Sequence, residues 1–160
     1  MNETLNTIHT RFSCRAYTDQ TVEMEKLQAI AKAGLAAPSG QNKQPWHFIV
    51  VSDKELVGKF GTHGAPAMIV VLKKSYSTTW VDVDCGIAVQ TMALAAASLG
   101  LGSCIVDPPY LLFEGEEAGS IKETLKWPAG YEFSIVLAVG YAARSGNPHP
   151  LVASKVHYIG

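Results

Sequence analysis

The 160-residue chain is predicted to fold as one domain in which helices and strands share a single core. Three observations predict it. Ala67-Met68-Ile69-Val70-Val71-Leu72 and the centre of Glu132–Tyr141 are continuous apolar runs of strand length, the pattern of strands covered on both faces. Thr21 to Ala36 repeats apolar residues at three- and four-residue steps, as an amphipathic helix does. Ile87 to Leu99 is apolar nearly all round, so a helix there must be buried on most sides.

In chain order, Thr4 to Thr10 reads as a short helix with Leu5 and Ile8 as its apolar contacts. The helix over 21–36 follows, with Asp19 or Thr21 placed to cap its start and Pro38 to end it. A loop from Ala36 to Trp46 leads to a strand, His47 to Ser52. Asp53 to Phe60 is a short helix and Gly61 to Pro66 a turn rich in breakers. The strand over 67–72 comes next, then a polar connection, Lys73 to Thr79. Asp82 and Asp84 stand as caps ahead of the apolar helix, which ends in a left-handed glycine, Gly100. Ser103 to Val106 is a strand, Asp107-Pro108-Pro109 an extended turn, Ala118 to Leu125 a helix, and Glu132 to Tyr141 the last strand. Residues 142–160 form a tail whose end (Val156, Tyr158, Ile159) is too apolar for a free linker. The sequence carries neither an internal repeat nor a second domain.

Formal net charge is −1. That excludes electrostatic steering toward nucleic acid or an anionic membrane. High apolar content with so little charge does little to keep copies apart, which favours a homo-oligomer. Cys14, Cys85 and Cys104 are isolated and form neither a disulfide framework nor a zinc motif. Reduced thiols in a cytoplasmic protein are the expectation. Met1 to Asn6 has no apolar core of a secretion signal, and Met92 to Leu101 falls short of the ~18 apolar residues of a membrane span.

Two stretches carry candidate chemistry. Arg11-Phe12-Ser13-Cys14-Arg15 puts two guanidinium forks and a hydroxyl within five residues. Such a set chelates a phosphate, or else forms a solvated basic turn. Pro38-Ser39-Gly40-Gln41-Asn42-Lys43-Gln44-Pro45-Trp46 is stiffened by two prolines, carries four uncharged hydrogen-bonding side chains, and ends in an indole plate. It suits a planar polar heterocycle, or is an ordered loop without a ligand. Asp82, Asp84 and Cys85 match no metal spacing, and no metal is expected. The glycines of Leu99-Gly100-Leu101-Gly102-Ser103 fail the dinucleotide fingerprint, and no nucleophile elbow is present. Cys14 lies between two arginines and would be activated if exposed, but no local histidine completes a dyad. With no acid–base pair in view, a bound cofactor is left to carry any reaction.

These stretches, with Asp84-Cys85-Gly86-Ile87-Ala88, Gly100-Leu101-Gly102-Ser103-Cys104, Pro128-Ala129-Gly130-Tyr131 and Val139-Gly140-Tyr141, resemble in order the nitroreductase-like flavoprotein family over roughly residues 4–142. The resemblance implies an α+β fold: a mixed, mainly antiparallel sheet wrapped by helices, as an intertwined homodimer with the 142–160 tail packed on the dimer. Flavin mononucleotide (FMN) would bind at the interface. By position, Arg11 and Ser13, with Phe12 between them, match the phosphate ligands, and Arg15 the cation near flavin N1. Pro38, Ser39 and Asn42 would come from the partner subunit. Gln44 would join them or brace the loop, and Val106 and Asp107 would lie near flavin N5. The implied activity passes a hydride from NADH or NADPH through flavin N5 to an electron-poor acceptor such as a nitroaromatic or quinone. No side chain is assigned as catalytic. Flavin reduction, reductive dehalogenation and flavin storage are alternatives on the same fold. Two departures stand out. The 73–84 segment is brief where relatives carry a helical excursion, and the further basic ligand of the phosphate is open among Arg144, His149 and Lys155.

Overall fold

The computed structural model of the chain describes residues 2–74, 80–108 and 111–160. Strands β1 (Trp46–Val51), β2 (Ala67–Lys74), β3 (Gly102–Val106) and β4 (Tyr131–Gly140) form one sheet in the order β1-β2-β4-β3. Among the described residues six α-helices surround it: α1 (Glu3–Thr10), α2 (Met24–Leu35), α3 (Lys54–Gly58), α4 (Val81–Ser98), α5 (Leu111–Glu114) and α6 (Ala118–Thr124). The fold is α+β, but the sheet is not mixed: all three ladders are antiparallel. The reason is topological. β2 and β3 point the same way across the α4 connection, yet β4 lies between them, so the two parallel strands never touch. Among the described residues a parallel pairing occurs only as the isolated bridge between Ser13 and Ser103.

The buried run over 67–72 divides its side chains between two core layers with the two-residue period of a strand. Ala67, Ile69 and Val71 join the cluster under α2 and α4. Met68, Val70 and Leu72 join the one under α3 and α6, with Val57, Phe60, Ile121 and Leu125. The sheet is thus the middle of three layers. α2 and α4 approach closely at Gly34, where a Cβ would stand 2.8 Å from Met92 and 2.9 Å from Phe48.

Element ends differ from expectation in instructive ways. α2 begins at Met24, and its N-cap residue, Glu23, makes no side-chain cap, so neither Asp19 nor Thr21 has that role. α4 begins at Val81, six residues earlier than the apolar run suggests, and Asp84 caps nothing in its own helix. By length and composition α4 could span a membrane; here Ala88, Met92, Ala93 and Ala96 on its inner face are core. Its end is as expected: Gly100 has φ +76°, and Leu101 and Gly100 donate their N–H groups back to Ala96 and Ala97, a Schellman closure. β2 runs on to Lys74, so the connection is shorter still, and an ion pair between Lys73 and Asp82 (2.7 Å) draws its two ends together. Residues 75–79 of the polar connection and Pro109 of the proline turn lie outside the described residues.

Candidate functional site

The arginine-bearing segment leaves α1 as extended chain: Arg11 is the C-cap, with φ −61° and ψ 143°. It is pinned to the sheet by the Ser13–Ser103 bridge and by the Cys14 N–H donated to the Ser103 carbonyl (2.9 Å). Extended chain alternates its sides. Cys14 is therefore buried at 1% exposure, while Arg11 and Ser13 are half-buried and Arg15 is exposed. Neither arginine makes an ion pair among the described residues. Arg11 and Phe12 line a 220 Å³ pocket whose other wall is the glycine turn after α4 (Gly100 to Ser103).

The tail begins by running back along this segment. Ala142 pairs with Tyr17, Ala143 donates its N–H to the Ala16 carbonyl, and Gly146 lies against the Phe12 ring. Arg144 follows Ala143 in this stretch and is exposed. His149 and Lys155 lie farther out on exposed tail.

The 38–46 loop is held open in an unusual backbone shape. Gly40–Asn42 make one 3-10 turn, and Gln41, Asn42 and Gln44 all have positive φ (55°, 54° and 46°). Each such residue costs on the order of 1 kcal/mol and persists only where its surroundings over-determine it. Three braces do so. The Gln44 N–H donates to Ser39 Oγ (2.9 Å), Gln44 Nε2 to Asn42 Oδ1 (3.2 Å), and the Gly40 N–H to Asp84 Oδ1 (3.0 Å). Gln44 is accordingly a brace. Pro38, Gly40, Gln41, Asn42 and Lys43 are left exposed and Ser39 half-exposed. Trp46 is not the plate that the sequence suggests: it is 5% exposed and stacks on Phe48 in the core. The free indole is Trp80, 64% exposed at the head of α4. Asp84 and Trp80 were not legible as site residues, because contact across the fold brings them to the loop.

The arginine segment and the loop do not meet within one chain. The loop lies at the head of α4, against Asp84, and the arginine pocket at its foot, against Ala97 and Gly100. From Asp84 to Ala97 the axis advances about 20 Å. The outer face of α4 between them carries Val83 (47% exposed) and Ile87 (37%), with Leu94 part-exposed. Val106 is 8% exposed in the cluster under α3 and α6, whereas Asp107 is exposed.

The thiols are not nucleophiles. Cys14 Sγ is buried and donates to the Ala16 carbonyl (3.2 Å). Burial pushes the Cys85 and Cys104 thiols above the ordinary range.

Flavin mononucleotide fits this donor set: arginines and a hydroxyl for a dianionic phosphate at one end, a neutral polar loop for a heterocycle at the other. Comparison with known proteins agrees. The family model described as "Nitroreductase family" matches residues 8–63 and 53–141. A protein of Archaeoglobus fulgidus provisionally named NADH dehydrogenase/NAD(P)H nitroreductase is 37% identical over 88% of this chain and 86% of its own. The crystal structure of a nitroreductase with bound FMN from Desulfitobacterium hafniense superposes with a TM-score of 0.93 at 36% identity, covering both chains fully. One from Bacteroides fragilis, also with bound FMN, gives 0.87 at 26% identity, again over both full chains.

Proposed function

The chain belongs to the nitroreductase family, and on that premise we propose that it is an FMN-dependent oxidoreductase working as a homodimer with shared sites. The observation that carries this reading is the separation of two complementary half-sites at opposite ends of α4. A two-fold axis across the stripe of exposed Val83 and Ile87 and part-exposed Leu94 would reverse one helix against the other. It thereby brings the arginine segment of one protomer to the loop of its partner.

Arg11 and Ser13 bind the phosphate, and Arg144 is the third group; the pairing of Ala142 and Ala143 with Tyr17 and Ala16 supports this choice over His149 and Lys155. Arg15 sets a cation at the pyrimidine edge, where negative charge accumulates on reduction. Pro38, Ser39 and Asn42 of the other protomer cover the ring, with Gln44 and Asp84 fixing their loop. Asp107 and the Val106 main chain stand near N5. The apolar end of the tail, with Tyr158 at 89% and Ile159 at 96% exposure, lies across the partner. When bound, the flavin supplies hydride acceptance from NADH or NADPH and donation to an electron-poor acceptor such as a nitroaromatic or quinone. The protein contributes placement and the exclusion of water.

The test is spectroscopic. The purified chain takes up FMN, and anaerobic NADH or NADPH bleaches it. Arg11→Ala weakens FMN binding by about tenfold or more, the scale of a charge-assisted contact to phosphate. A chain that gains no flavin absorbance refutes the reading. One that binds flavin but is bleached by neither nicotinamide is a flavin carrier instead.

A further inference from the structure

A cleft lies beside the proposed flavin loop and is lined by none of the side chains proposed to hold the flavin. It has a volume of about 450 Å³ and is lined by Gly40, Gln41, Lys43, Pro45, Trp80, Val81 and Asp84. That is the size of a small-molecule site. One side offers the flat, exposed indole of Trp80. Asp84 lines the cleft while only 5% exposed, and among the described residues the Gly40 main-chain N–H is the one donor to its carboxylate. A carboxylate has about four acceptor positions, so capacity remains for a ligand. Gly40 keeps the space open: a Cβ there would stand 3.8 Å from both the Asp84 carboxylate and Trp80 Cβ.

We infer that this cleft selects the acceptor: a planar aromatic compound carrying an N–H or O–H donor, with its ring on Trp80 and its donor on Asp84. The inference rests on the flavoprotein reading only in calling this ligand the acceptor; the selectivity rests on the cleft. A buried carboxylate satisfied by a ligand donor favours amides, amines and phenols. It rejects an aromatic carboxylate, whose charge would be set against its own in a low-dielectric site. Lys43 is exposed at the rim, where solvent screens its charge.

Binding of 4-nitrobenzamide and 4-nitrobenzoate to the FMN-loaded protein, by equilibrium dialysis, tests this. The amide is expected to bind about tenfold tighter than the acid or better. In Asp84→Asn, which retains an oxygen for the Gly40 N–H, the preference falls below about threefold. In Trp80→Ala both ligands weaken by about tenfold through lost stacking. Circular dichroism and a thermal midpoint matching the unaltered protein show that each variant is folded, and binding is compared per FMN-loaded chain, so that a loosened loop is not read as lost selectivity. Equal affinity for the pair in the unaltered protein, an undiminished preference in Asp84→Asn, or unchanged binding in Trp80→Ala overturns the inference and leaves the flavin reading intact. A chain that takes up no FMN overturns the flavin reading and, with it, the acceptor assignment.

Discussion

Gly140 ends β4 where three segments converge. A Cβ there would stand 2.5 Å from Pro66 Cδ and 2.8 Å from Tyr17 Cδ1. A proline ring cannot swing aside as a methionine can, so Gly140→Ala is expected to destabilise by about 1–3 kcal/mol, checked by urea denaturation. The same corner sets an alkaline limit. Burial pushes the Tyr17 phenol well above its ordinary value, with Cys14 beside it, and the Cys85 and Cys104 thiols rise with burial too. Each group has a folded pKa above its unfolded one. The stability it contributes is full below the unfolded pKa and drains away as pH rises past it. Thermal midpoints should therefore fall from about pH 8.5 as the thiols titrate and more steeply above about pH 10. Tyr17→Phe flattens the upper part, and a level profile from pH 7 to 11 contradicts the argument. Native thiols should likewise react with a disulfide reagent at pH 8 far more slowly than unfolded ones.

At the scale of elements, what sequence discloses depends on whether the cause is local. β2 was legible because a strand buried on both faces must be apolar at every position, and the end of α4 because Gly100 satisfies a local closure. The loop was legible as a feature, since prolines and amides mark it. Its braces were not. Asp84 lies far along the chain, and only folding turns its carboxylate onto the Gly40 N–H rather than its own helix end. The same limit hid the exchange of roles between Trp46 and Trp80, because both indoles look alike until burial distinguishes them. The apolar circumference of α4 was visible, but not its division. The inner face seals the sheet, whereas Val83, Ile87 and Leu94 remain outward. Ile87→Glu should therefore leave helix content unchanged by circular dichroism. In the shared-site arrangement it yields a monomer by sedimentation that no longer holds FMN. A dimeric Ile87→Glu protein that keeps its flavin would place the interface elsewhere.

For the whole molecule, the distance along α4 is the decisive quantity. In the proposed dimer, half-sites about 20 Å apart along one chain are each completed by a two-fold partner that would supply the missing half. Such a site can be rebuilt from two broken proteins. Arg11→Ala damages the phosphate end, and Pro38→Gly with Asn42→Ala damages the loop, so each homodimer has two defective sites. Co-expressed, the two chains assemble at random, and about half of the dimers are mixed. A mixed dimer concentrates both lesions in one site and leaves the other with an intact arginine segment from one chain and an intact loop from the other. About one site in four should then bind FMN with unaltered affinity, although neither parent does. Flavin titration of the co-expressed protein reads this fraction directly. If both half-sites served the same chain, no intact site would arise by mixing, and the high-affinity fraction would be zero.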